Sequence, residues 1–210
     1  MNLLEHTHEL IVCDTETADR WDDAVVFSAA FTHGDLRQRY SLEQLVEERT
    51  FFFKFNAREQ LKAGRKTCKK TIEWWKSDKV SEVARIMSLY PSEISDKSMA
   101  EFRDAYVTWC HQMRLEPKNI IHCDRNLFDL RKLQHIIEVT LGGYADEPWD
   151  YHNIIDVTST LRAWGADRYA GVDARTLPGM VYHDPRFDAA LDWLRMQATA
   201  VNAGLLEVGE

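Results

Sequence analysis

Residues 11–17 read IVCDTET, an apolar run that stops at two carboxylates, Asp14 and Glu16, with a single threonine between them. The apolar and β-branched residues of ELIVC (9–13) predict a buried strand. Side chains two apart on a strand point the same way, with their Cα atoms roughly 7 Å apart. Asp14 and Glu16 therefore lean over one spot if the extended geometry continues through Thr15. Like charges that close, at a low-dielectric strand end, push each other's pKa upward, and a divalent cation is the usual relief. An all-oxygen donor set suits magnesium or manganese. Taken alone, the pair has a plainer reading, with Asp14 capping a turn and Glu16 solvated, so the pattern needs further acids from elsewhere in the chain.

The rest of the first third also reads as β. DAVVFSAAF (23–31) is rich in strand formers, DLRQRYSL (35–42) alternates like a half-exposed strand, and THGD (32–35) is the turn signal of a meander. The middle is helical. SMAEFRDAYVTWCHQM (98–113) opens with Ser98 and Glu101 in capping-box spacing and aligns Phe102, Tyr106, Trp109 and Met113 on one face, with Pro117 as its stop. NIIHC (119–123) is a short strand. Asn126 caps a helix over LFDLRKLQHIIEVTL (127–141) that runs to Gly142-Gly143, which puts Asp129 in its first turn. NIID (153–156) marks a strand or strand end, with Asp156 as a helix cap. The last helix has Asp184 as cap, Pro185 at its first position, an apolar face of Phe187, Leu191, Leu194 and Ala198, and Asp188 beside that face. Strands first, then helices alternating with single strands, give an α/β architecture with a mixed sheet flanked by helices.

With 210 residues, 45% of them apolar, and no repeat or linker, the chain reads as a single domain over 1–210. No stretch approaches the roughly 18 apolar residues of a membrane span, and MNLLEHTHEL lacks the layout of a signal peptide. A soluble, cytoplasmic protein without a membrane partner is expected. Cys13, Cys68, Cys110 and Cys123 have no CxxC spacing, which indicates neither a zinc site nor a disulfide framework. The net charge of −8 opposes a polyanionic partner, but charge is segregated: KAGRKTCKKTIEWWKSDK (62–79) is +5 and the remainder −13. Lys66, Lys69, Lys70 and Lys76 are candidates for tracking phosphates, and a solvated helix face explains them nearly as well. Trp74 and Trp75 diverge by about 100° on a helix, so one packs while the other borders a cleft. Base stacking and core burial both remain open for them.

Two further segments deliver acids, each at the first turn of a predicted helix: NLFD (126–129) and HDPRFD (183–188). Together the three segments resemble, in order, the motifs of the DEDD superfamily of 3′-to-5′ exonucleases: DxE on the first strand, an N-x-x-[FY]-D-like segment mid-chain, and H-x-x-x-x-D near the end. His183, five residues before Asp188, resembles the DEDDh branch. TIEWWKSD (71–78), with its tandem tryptophan, resembles the phage exonuclease A (DexA) group and its bacterial exoribonuclease cousins, relatives of ribonuclease T. HCDRN (122–126) departs from the pattern, because many relatives carry a small residue and His before the asparagine where this chain has Asp124 and Arg125.

The resemblance implies a ribonuclease H-like fold whose mixed sheet has about five strands. It implies two magnesium ions, replaceable by manganese: one held by Asp14, Glu16 and Asp188, the other by Asp14 and Asp129, roughly 4 Å apart. His183 would take a proton from the attacking water before a nucleoside monophosphate leaves. Thr15 and Asn126 would join the tryptophans and lysines as nucleic-acid contacts. The implied substrate is the 3′ end of single-stranded DNA, with RNA as runner-up and a catalytically lapsed nucleic-acid-binding protein as the alternative of another class. A phage-encoded protein of this kind would work in the host cytoplasm, and ribonuclease T offers a homodimer by analogy. Asp192, with Arg195 at i+3, reads as a structural ion pair and not as a ligand.

Overall fold

The computed structural model describes residues 8–142, 147–167 and 169–209 and builds a six-stranded mixed sheet around IVCDTET. β1 (Glu9–Thr17) pairs antiparallel with β2 (Val26–Asp35) on one side and parallel with β5 (Ile121–Asp124) on the other. After β2 come α1 (Leu42–Glu48) and β3 (Thr50–Phe55), then α2 (Ala57–Lys62), α3 (Lys69–Trp75), α4 (Glu82–Met87) and the two-residue β4 (Asp96–Lys97). α5 (Phe102–Gln112) leads into β5, α6 (Asp129–Leu141) into β6 (Ile154–Asp156), and α7 (Val157–Ala163) and α8 (Pro185–Asn202) complete the chain. The strand order is β4-β3-β2-β1-β5-β6. No helix among the described residues is long and apolar enough to cross a membrane.

Alternation along β1 explains why both faces of the sheet are covered. Leu10 and Val12 join Trp193, Met196 and Ala200 of α8 in one core, while Ile11 and Cys13 join Phe102 and Tyr106 of α5 and Leu133 and Ile137 of α6 in another. A strand with neighbours on both edges and helices on both faces has no solvent side, which is why its sequence reads as a continuous apolar run. α5 buries Phe102 and Tyr106 and packs Trp109 and Met113 at the core edge as expected, with the Ser98–Glu101 capping box in place just ahead of it. It ends at Gln112, well before Pro117, through a turn in which Arg114 takes φ 60°. Gly142 stops α6 in the left-handed conformation at φ 80°; Gly143 lies outside the described residues.

Three sequence expectations need correction. Residues 35–42 form no strand: Asp35 closes β2 by accepting from the Arg37 N–H, and Ser41 and Gln44 make a capping box that starts α1. The apparent alternation arose because Leu36 and Tyr40 reach the α8 core from a turn. The aromatic run of β3, TFFFKF, was the missed strand. THGD is not a turn either, since all four residues belong to β2. Gly34 is there for closeness: a Cβ at this position would stand 2.6 Å from the Trp193 indole. Gly34→Ala is therefore expected to cost about 1–3 kcal/mol through overpacking, read as a lower urea midpoint at unchanged m-value. Finally, the deepest stripe of α8 is Ala189, Trp193, Met196 and Ala200, whereas Phe187, Leu194 and Ala198 of the expected face are only partly buried. The helix lies across the sheet with apolar surface on more than one side, and periodicity alone does not say which side faces inward.

The core also holds two histidines. His122 on β5 is fully buried against the Tyr106 hydroxyl at 2.6 Å, and His33 on β2 is 3% exposed. Burial lowers both pKa values to about 4 from the ordinary 6.5. A depressed histidine contributes stability that is present above its unfolded pKa and lost as pH falls through the folded one. The share of stability that each histidine contributes is thus expected to fall from pH 6.5 toward 4 by about 1.4 kcal/mol per pH unit. It is read as the difference in denaturant stability between wild type and a His122→Gln variant at each pH; a difference that stays constant with pH would place the acid sensitivity elsewhere.

Candidate active site

Asp14 and Glu16 leave β1 on its α8 face, just before a register shift against β2 at Glu16/Thr17. α8 meets them with its first turn. Asp184 caps that helix by accepting from the Arg186 N–H, Pro185 follows at its first position, and Asp188 comes one turn later. His183 is held at φ 63°, a left-handed conformation that a β-carbon disfavours. In that conformation its N–H donates to Asp188 Oδ2 at 2.9 Å and its Nδ1 stands 3.8 Å from Glu16 Oε1. Glu16, His183 and Asp188 bring ligand atoms within 4.8 Å of one another.

Asp129 arrives from the opposite face of the sheet, on α6, and is anchored by the residue between the two acids. The Thr15 N–H donates to Asp129 Oδ1 at 3.1 Å and the Thr15 hydroxyl donates to the same oxygen at 2.5 Å. Thr15, expected to touch substrate, instead spends both donors on Asp129 and is itself buried. The expected cap of this helix also moves. Asn126 sits at φ 63° in a short 3₁₀ turn, exposed, and α6 begins only at Asp129. Asp124 does the capping, accepting from the N–H groups of Phe128, Asp129 and Leu130 at 2.7–2.8 Å. The readable signal was an aspartate at the strand end, a few residues before an apolar helix, which drew attention only as a departure from the family pattern.

Sequence reasoning missed Lys132. Its side chain is buried, and its ammonium donates to the carbonyls of Arg20 and Phe128, each at 3.1 Å. It ties the loop after β1 to the start of α6 and sets a positive charge near Asp129. Burial lowers the Lys132 pKa to about 8, with Asp129 opposing the shift.

The four acids perturb one another. Burial raises Asp14 well above the carboxylate range, and the charges of Asp129, Asp188 and Glu16 add to the rise. Glu16 is raised by burial, then by Asp188 and Asp129; Asp129 by burial and Asp124, against the Thr15 hydrogen bonds. Asp188 is raised by burial to about 7, although the His183 N–H pulls the other way. Burial also lowers His183. Four buried carboxylates destabilised as anions leave a need for positive charge, and the ligand atoms that stand within 4.8 Å of one another are those of Glu16, His183 and Asp188.

Around this centre the tandem tryptophan divides as its geometry requires. Trp75 is buried with its indole N–H on the Thr17 carbonyl at 3.1 Å and Phe27 edge-on at 5.6 Å. Trp74 is partly buried and meets the His183 ring edge-on at 4.8 Å. Of the lysines, Lys66 pairs with Asp23 at 2.5 Å and Lys69 approaches Glu73 at 3.8 Å, while Lys70 and Lys76 are exposed on and beside α3. Asp192 sits in a two-arginine clamp, with Arg125 Nε at 2.8 Å and Arg195 at 3.0 Å. Arg125 thereby links the turn before α6 to α8. Asp156 caps α7 and also accepts from the Asn126 N–H.

No protein-family model and no curated protein sequence matches the chain. Solved structures do. Apo exonuclease I aligns with TM-score 0.57 at 13% identity over 93% of this chain and 42% of its own. The Mg2+- and Mn2+-bound form of S. pombe Pop2p aligns with TM-score 0.59 at 11% identity over 97% of this chain and 86% of its own. The zinc-bound E. coli ExoI–ssDNA complex aligns with TM-score 0.52 at 14% identity over 93% and 40% of the two chains. This chain thus spans about two fifths of the exonuclease I chains. At such identities the shared property is the fold alone, a ribonuclease H-like mixed sheet flanked by helices.

Proposed function

We propose that this chain is a metal-dependent 3′-to-5′ exonuclease of the DEDDh type that removes nucleoside monophosphates from single-stranded nucleic acid, DNA ahead of RNA. The observation that carries the reading is the convergence of Asp14, Glu16, Asp129 and Asp188 from three distant segments onto one strand end, each with its pKa pushed up. These acids fit hard divalent cations, and we assign them as the ligands of two magnesium ions, with manganese as substitute. Such ions supply Lewis-acid stabilisation of the charge on a phosphate under attack.

The chain's own residues do the rest. His183, lowered by burial, is neutral at pH 7 and accepts the proton of the attacking water on its imidazole. Its ring is steadied by Trp74, and its backbone by Asp188. Trp75 is spent in the core, so Trp74 is the tryptophan left to border a base, at a worth of about 1–3 kcal/mol. Lys70 and Lys76, with Lys66 and Lys69 released from surface pairs worth about 0–1 kcal/mol, would follow the phosphates. The preference for DNA rests on the tandem-tryptophan resemblance and on the single-stranded DNA that the E. coli ExoI structure holds.

The test is an end-labelled strand incubated with magnesium, with and without chelator, in matched DNA and RNA forms. Stepwise loss of 3′ nucleotides that chelator stops is expected. Tight binding without cleavage would leave the lapsed nucleic-acid binder, and faster loss from RNA would reverse the sugar preference.

A further inference from the structure

A cavity of about 510 Å³ opens in the segment between α7 and α8, and none of the proposed metal ligands lines it. Its wall includes Tyr169, Tyr182, Arg175, Arg195, Asp167 and Asp173. Two observations connect it to the site. Tyr182 directly precedes His183, and Arg195, whose guanidinium lies over the Tyr169 ring at 5.6 Å, also holds Asp192 at 3.0 Å. Asp192 is in turn among the charges that raise Asp14 and Asp188. Through Arg195 and Asp192 the cavity wall is tied to α8, the helix that carries Asp188 in its first turn.

Its chemistry selects what enters. The charges are already balanced: Arg175 is bidentate on Asp173 through Nε at 3.0 Å and its terminal nitrogen at 2.8 Å, and Arg195 is engaged by Asp192. The Asp167 carboxylate is occupied by the N–H groups of Tyr169 and Ala170. Among the described residues the wall carries two carboxylates, Asp167 and Asp173, against two guanidiniums, Arg175 and Arg195, so it has no net charge to draw in a phosphate. What remains is aromatic surface, since the side chains of Tyr169 and Tyr182 are 55% and 46% exposed. Exposed aromatic faces in a concave, charge-balanced site suit a flat, neutral, π-rich group.

We propose that this cavity seats a nucleobase from the interior of the bound strand, stacked on Tyr169 or Tyr182, while the 3′ end lies at the carboxylates. The assignment rests on the exonuclease reading and gives that site a second, sequence-tolerant grip on its substrate. A base held at a fixed place makes each hydrolytic step sensitive to the nucleotide at one fixed distance from the 3′ end.

Stepwise digestion in magnesium of strands carrying one abasic nucleotide, in DNA and RNA arms, tests this. Digestion is expected to slow about 5- to 100-fold when the abasic nucleotide reaches one particular distance from the end. Tyr169→Ala and Tyr182→Ala are expected to slow intact strands, with the variant at the stacking ring erasing that pause. Tyr→Phe at the same position should restore it, which separates a stacking role from a folding defect. The absence of a register-specific pause, or a pause unchanged in both alanine variants, would overturn the pocket while leaving the exonuclease reading intact. If no strand is shortened with magnesium or manganese, the exonuclease reading fails and the pocket assignment falls with it. A pause in only one arm assigns the cavity to that nucleic acid.

Discussion

Asp14→Asn is expected to lower 3′ hydrolysis at saturating magnesium by roughly a thousandfold or more. The side chain keeps its shape, but the site loses a carboxylate whose charge acts with those of Asp129, Asp188 and Glu16. Charge stabilisation by bound metal is worth several kcal/mol at a phosphate under attack, and each 1.4 kcal/mol or so is a factor of ten in rate. Thr15→Val provides the internal contrast. It keeps volume and strand propensity and removes only the hydroxyl that donates to Asp129, whose second hydrogen bond from the Thr15 N–H survives. A residue acting through a ligand in this way typically costs about 10- to 100-fold. Single-turnover rates for the two variants should therefore differ by at least an order of magnitude. Equal losses would mean that Thr15 touches substrate after all, and a wild-type rate for Asp14→Asn would remove it from the chemistry.

The same two residues mark how far the sequence could be read. The placement of Asp14 and Glu16 at the end of β1, and of Asp129 and Asp188 in the first turns of α6 and α8, was legible because each belongs to a strongly patterned element, and strand alternation alone orients the first pair. The partners that fix those acids were not. Thr15–Asp129 and Lys132–Arg20 join residues 114 and 112 positions apart, and Asp124 acts across a turn that has no period to read. Asn126 looked like the cap because it has the right side chain near the right place. The aspartate at the strand end won because its carboxylate reaches three N–H groups at once. In the sheet, the misread segment around Gly34 failed for a related reason. A glycine needed for the approach of Trp193, a residue far along the chain, looks locally the same as a glycine needed for a turn. Local signals locate elements, while contacts between them decide what each special residue is for.

Removing metal is expected to make the protein sag in stability as pH rises, which is the reverse of ordinary carboxylate behaviour. An acid whose folded pKa lies above its unfolded value contributes stability that is fully present below the unfolded pKa and lost as pH rises through the folded one. Asp188, raised by burial to about 7, places its share of that loss between its ordinary pKa near 4 and about pH 7. Asp14, Glu16 and Asp129, all raised, act in the same direction. At about 1.4 kcal/mol per pKa unit, the anionic cluster costs on the order of a few kcal/mol in chelator at pH 8. That corresponds to roughly 5–10 °C of melting temperature in a chain of this size. The two depressed histidines act in the opposite sense between about pH 4 and 6.5 and offset part of the fall there, but they are outnumbered by the four raised acids. Magnesium or manganese, binding the folded state alone, should restore the lost stability, and more of it at pH 8 than at pH 6. Asp188→Asn should melt higher than wild type in chelator at pH 8 and gain less from metal. Melting curves across pH 5–8.5, with chelator and with each cation, read all of this at once. A metal-free protein whose stability is flat or rising over that range would mean that the four acids do not share one buried spot.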